Sequence, residues 1–111
     1  MITTHVLDTS RGGAAVGVVV VLEAETAGEW RVVGRGTTDR QGRLTTLTED
    51  RALAPGVYRL IFDVGTYQRD QGVTAPFFPE AIVTFEVSDV EEDYHVPLLL
   101  SPFGYSTYRG T

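Results

Sequence analysis

The sequence predicts an all-β sandwich with hairpin or Greek-key-like connections and one short helix. Three observations carry this expectation. Runs rich in β-branched residues, several of them strictly alternating, recur at short and regular spacing. Turn chemistry rich in Gly, Pro and Asp separates them. Only Gly65 to Gly72 has helical character, and it spans at most two turns.

Taken in order, Thr3-His5-Leu7 alternates with Thr4-Val6-Asp8, so a first strand ends near Asp8, before turn residues Thr9 to Gly13. Val16 to Glu25 is the strongest β segment, with five valines. A hairpin at Ala27-Gly28 joins it to a third strand, Trp30 to Thr37, in which Gly34 and Gly36 weaken pairing or mark a bulge. Thr38 to Gly42 is a turn, with Gly42 suited to positive φ, and a short strand runs from Arg43 to Thr46. After a polar connection closed by Pro55-Gly56, Val57 to Val64 places Tyr58, Leu60, Phe62 and Val64 on one face. Thr66 is the expected helix N-cap and Gly72 the stop. Two prolines fix the loop Thr74 to Pro79. Ala81-Val83-Phe85-Val87 is the buried face of a sixth strand, and Asp89 to Asp93 is an acidic turn. Tyr94 to Leu100 and Tyr105 to Tyr108 complete eight strands, and no linker or repeat divides the 111 residues. One domain spanning residues 1–111 is expected.

The net charge of -6, with no basic stripe, argues against nucleic acid and anionic membrane surfaces as partners. The longest apolar run, Val18 to Leu22, is too short to cross a bilayer, and no signal peptide is expected. With no cysteine there is no disulfide, thiolate nucleophile or sulfur-ligated zinc, which fits a cytoplasmic location. At 42% hydrophobic residues the core is thin for a monomer, so oligomerisation would help. Phosphate-loop, nucleophile-elbow and H-E-x-x-H patterns are absent. Imidazole chemistry is confined to His5 and His95. Taken alone, His5 reads as a solvated strand residue, Arg43 as a solvated charge beside a turn, and the aromatic, charged end Tyr108-Arg109-Gly110-Thr111 as either an anchored edge or part of a site.

Several blocks together change that reading. They are His5-Val6-Leu7-Asp8-Thr9, Gly17 to Val20, Thr38-Asp39-x-x-Gly42-Arg43, Phe78-Pro79-Glu80, His95 to Pro102, and Tyr105-Ser106-Thr107-Tyr108-Arg109-Gly110. With them the chain resembles the transthyretin-like 5-hydroxyisourate hydrolases over essentially its full length. Two positions depart from the pattern: Thr111 replaces the usual closing serine, and no proline stands near Gly13-Ala14-Ala15. The resemblance implies a transthyretin-like (prealbumin-like) sandwich of two four-stranded sheets, assembled as a homotetramer with sites where dimers meet. It implies hydrolysis of 5-hydroxyisourate to 2-oxo-4-hydroxy-4-carboxy-5-ureidoimidazoline in urate degradation, with no metal and no organic cofactor. His5, Arg43, His95 and Thr111 are the implied catalytic residues, and His5, Arg43 and Tyr108 the implied substrate-binding ones. Opening a cyclic acyl–nitrogen bond with water needs a base, a stabiliser of the oxyanion and groups that orient the ring. The His5/His95 pair suits the first role, with His95 favoured, and Arg43 the second. Tyr108 suits the third, while Arg109 is the natural anchor of the tail. The alternatives are a non-enzymatic small-molecule carrier of the same fold and a β-sandwich interaction module.

Overall fold

The computed structural model describes residues 1–111. Nine strands and one helix follow in the order β1 (Ile2–Asp8), β2 (Gly13–Ala14), β3 (Val19–Thr26), β4 (Glu29–Thr37), β5 (Arg43–Leu44), β6 (Gly56–Phe62), α1 (Val64–Asp70), β7 (Ala81–Val87), β8 (Tyr94–Ser101) and β9 (Gly104–Thr107). One sheet has the order β4-β3-β6-β7, all antiparallel. The other runs β2-β1-β8-β9, with β5 also paired to β1. The two-residue β2 is thus an addition to the expected four-plus-four arrangement. Gly13, read from sequence as turn, instead pairs with Asp8, and Ala14 pairs with Leu7.

The alternation seen in the sequence decides which faces meet. Ile2, Val6, Leu98 and Leu100 from one sheet pack against Val20, Leu22, Leu60 and Phe62 from the other, all with at most 1% of their surface exposed. Burial on this scale contributes roughly 1.5–3 kcal/mol per large aliphatic or aromatic side chain. Because Ile2, Thr4, Val6 and Asp8 point inward, Thr3, His5 and Leu7 must point outward.

Several boundaries shift for local reasons. β3 starts at Val19 rather than Val16, because the Gly17 amide donates to the Thr38 carbonyl (3.1 Å) and turns the chain before the ladder begins. In the β3–β4 pair, Leu22 faces Gly34 while Glu23 faces Val32, so Val33 is the extra residue of a bulge. A Cβ on Gly34 would lie 2.1 Å from the Leu47 carbonyl oxygen, which explains why a strand interior carries glycine there. β5 is only two residues long, not four. The helix is capped by Asp63, not Thr66: the Asp63 carboxylate accepts the Thr66 amide at 3.2 Å, so Thr66 lies inside the helix. Gly72 does stop it, with Gly72 N donating to Arg69 O and Val73 N to Gln68 O, a Schellman arrangement.

A buried polar contact ties this helix to the sheet that contains β1. The Tyr67 hydroxyl donates to Asp8 Oδ2 at 2.7 Å, while Ser10 donates its amide and hydroxyl to Oδ1. Burial opposes ionisation of Asp8, but these hydrogen bonds outweigh it and hold the carboxyl below its ordinary range. Burial first, and then the Asp8 carboxylate, push the Tyr67 hydroxyl up to about 12. Tyr67→Phe leaves Asp8 Oδ2 without its donor. It should destabilise the fold by about 1–3 kcal/mol, read as a lower urea midpoint at unchanged slope.

Candidate active site

β1 and β8 form the only parallel pair in the molecule, with Thr3 beside His95 and His5 beside Pro97. On its other edge β1 carries β5, with His5 beside Arg43. The chain end adds one more element, since Gly110 bridges to His95 through a 2.7 Å bond from its amide to the His95 carbonyl. Two rows therefore cross the outer face of this sheet: Arg43–His5, and Thr3–His95–Gly110. An open cavity of about 590 Å³ lies over them, lined by Thr3, Arg43, His95, Arg109, Gly110 and Thr111 among others. That volume is within the roughly 300–1,000 Å³ usual for small-molecule sites. Only Met1 among its lining residues is apolar, and Glu92 and Asp93 add acidic groups.

The turn before β5 is shaped by one carboxylate. Asp39 Oδ1 accepts the amides of Gln41 (2.8 Å) and Arg43 (3.0 Å). Those backbone bonds, helped by the positive charges of Arg43 and His5, hold the Asp39 carboxyl below its ordinary range. Gly42 then takes φ +76, with its carbonyl receiving the Val6 amide at 2.7 Å. The turn aims the Gln41 carbonyl at His5, whose Nε2 lies 2.8 Å from that oxygen. A carbonyl oxygen only accepts, so Nε2 carries hydrogen and neutral His5 has its lone pair at Nδ1.

His95 is held differently. Its Nδ1 lies 2.8 Å from the Thr3 hydroxyl. Burial, then the Arg43 charge, then His5 lower its pKa below 6.5, so the ring is neutral at neutral pH. A Cβ on Gly110 would lie 2.6 Å from His95 Cδ2, so only glycine lets the tail cross so close to the ring.

The tail is anchored through Arg109. Its guanidinium stacks 4.6 Å above the Tyr94 ring and lies 3.5 Å from Glu92 Oε1. Both charged groups are about half exposed, so the ion pair contributes little. The stacking adds roughly 0.5–1 kcal/mol. The Tyr94 ring is a firm platform, because its hydroxyl accepts the Ser88 and Asp89 amides and donates to the Asp89 carbonyl.

The structure thus brings Arg43, His95 and Thr111 into one cavity, with His5 next to Arg43 just outside the lining. Tyr108 is not brought there. It lines a separate groove with Val83, Phe85, Tyr94 and Val96. Thr3 and the Gln41 carbonyl were missed by sequence reasoning. For Thr3 the signal was present, since it lies two residues before His5 on the same face of a strand.

This arrangement can be compared with known proteins. A family model described as HIUase/Transthyretin matches residues 2–110. The chain belongs to the HIUase/Transthyretin family. Within the family it is 46% identical to a 5-hydroxyisourate hydrolase of Salmonella dublin over 111 residues, covering all of this chain and 81% of that one. Among solved HIUase/Transthyretin structures it resembles sea bream transthyretin in complex with thyroxine, with TM-score 0.92 and 34% identity over 99% of this chain and 94% of that one. It also resembles the Klebsiella pneumoniae 5-hydroxyisourate hydrolase, with TM-score 0.86 and 33% identity over 99% of this chain and 97% of that one. The sandwich is therefore shared by a transthyretin solved in complex with thyroxine and by proteins named 5-hydroxyisourate hydrolase, and fold alone does not separate the two.

Proposed function

We propose that the protein hydrolyses 5-hydroxyisourate to 2-oxo-4-hydroxy-4-carboxy-5-ureidoimidazoline in urate degradation. The observation that carries this reading is a neutral histidine, His95, beside a permanent cation, Arg43, in a polar cavity sized for a small heterocycle. The names of the relatives, including the Salmonella dublin hydrolase, support the same reaction. A carrier would need none of this acid–base equipment.

In this mechanism a water molecule attacks the acyl carbon of the ring while His95 Nε2 takes its proton. The oxyanion that develops lies toward the Arg43 guanidinium, whose fork suits a carbonyl oxygen acquiring charge. Collapse breaks the C–N bond, and the imidazolium returns its proton to the departing nitrogen. His5 shares the base role by position: its Nε2–H is held by the Gln41 carbonyl, and its second nitrogen remains an acceptor. Thr111 offers a hydroxyl in the cavity to water or substrate. Tyr108 orients substrate only if its groove joins the cavity in an assembled oligomer. The reaction uses no metal and no organic cofactor.

We further propose a single hydrolase domain over residues 1–111, a homotetramer, and a cytoplasmic location. Exposed Phe77, Phe103 and Tyr108 support an oligomer, as do the free outer edges of β7 and β9. No helix is long and apolar enough to cross a membrane. The test is spectroscopic. Urate is oxidised enzymatically and the decay of hydroxyisourate absorbance is followed with and without the protein. Acceleration proportional to protein concentration is expected, and decay at the spontaneous rate would overturn the assignment.

A further inference from the structure

We propose that Thr3 is a positioning residue that keeps hydrogen on His95 Nδ1 and presents the Nε2 lone pair to the cavity. The proposal deepens the hydrolytic reading and rests on it for its kinetic consequence, though not for its spectroscopic one. Its basis is how the ring is bracketed. The Nδ1 edge faces the Thr3 hydroxyl at 2.8 Å, and the Cδ2 edge faces the tail backbone, where a Gly110 Cβ would come within 2.6 Å. With both edges occupied, the Cε1–Nε2 end is the part of the ring left to face the cavity that His95 lines. A half-turn of the ring would put Cδ2, which is no acceptor, against the hydroxyl, so the Thr3 bond selects one ring orientation.

The same bond selects a tautomer. A hydroxyl both donates and accepts, unlike the carbonyl that holds His5. If Thr3 donated to Nδ1, hydrogen would sit on Nε2, and the nitrogen facing the cavity could not act as a base. When Nε2 takes a proton from water, both ring nitrogens carry hydrogen and Nδ1–H must donate. Only with Thr3 already accepting does the bond survive proton uptake and return without reversing. The parallel β1–β8 register, which sets Thr3 beside His95, is what makes the contact possible. Thr3 is half-buried and outside the core, so its replacement tests the site rather than the fold.

The experiment compares Thr3→Val, which keeps shape and loses the hydroxyl, with Thr3→Ser, which restores it. The ¹⁵N shifts of His95 report which ring nitrogen holds hydrogen, whether or not the protein turns over. In the unaltered protein Nδ1 should be the protonated nitrogen at neutral pH. Thr3→Val should lose that preference and lower kcat about 10–100-fold with KM little changed, and Thr3→Ser should recover both. Unaltered ¹⁵N shifts and kcat in Thr3→Val, or hydrogen on Nε2 in the unaltered protein, would overturn the proposal. If the protein fails to accelerate hydroxyisourate decay at all, the shifts still decide the tautomer.

Discussion

His95→Ala is expected to lower turnover of 5-hydroxyisourate at least about 10²-fold while leaving fold and assembly intact. The magnitude follows from general-base catalysis, which contributes roughly 10²–10⁴-fold. The fold should survive because the ring faces outward from β8 and packs against tail and hydroxyl rather than core. The strand keeps its ladder, since the Gly110 bond uses the His95 backbone carbonyl and not the ring. Steady-state turnover, with circular dichroism and sedimentation as controls, checks it. Turnover within a few-fold of the unaltered protein would remove His95 from the mechanism and leave His5 as the base.

Arg43→Gln is expected to reduce kcat about 10²–10³-fold, the usual loss when a preorganised oxyanion partner is removed. It should also move the pH profile in a defined direction. His95 has a lowered pKa because burial disfavours the imidazolium, and the charges of Arg43 and His5 disfavour it further. Activity of the unaltered protein should therefore rise with pH through a value below 6.5 and be flat at neutrality. Removing the guanidinium leaves burial in place but relieves repulsion, so the acid limb should shift to higher pH. A profile that stays put, or moves to lower pH, would mean that Arg43 does not face His95 in the working enzyme. The same depression makes folded protein bind this proton less readily than unfolded chain. Its share of stability is present above 6.5 and declines as pH falls from there through the folded value.

Much of the architecture was legible because it is local. Alternation at Ala81 to Val87, the Ala27-Gly28 hairpin and the Gly72 stop each depend on residues within a few positions of one another. The helix cap was misread for an equally local reason. Asp63 and Thr66 are both good caps, and burial of Val64 starts the helix at the earlier one. The site was legible only as a set of residues that recur together. Which atoms meet depends on register between strands far apart in sequence, and no periodicity encodes it. Thr3 went unnoticed because its partner is 92 positions away. Where Tyr108 points was not legible, because β9 ends at Thr107, after which strand alternation no longer says which way a side chain points.

The parallel β1–β8 pair also sets when the site can exist. During synthesis β1 emerges before the other strands of the sandwich, while the strand that must lie beside it is made only after all of the β4-β3-β6-β7 sheet. Of its strands only β3 and β4 join by a tight hairpin, but all four are in place once β7 is made, so that sheet can close before β8 exists. β1 must meanwhile wait with an unpaired edge. No chain made only as far as β7 has Thr3 beside His95, so none of these can carry the hydrolytic centre. The segment that completes it, Arg109 to Thr111, is made after every other part of the site.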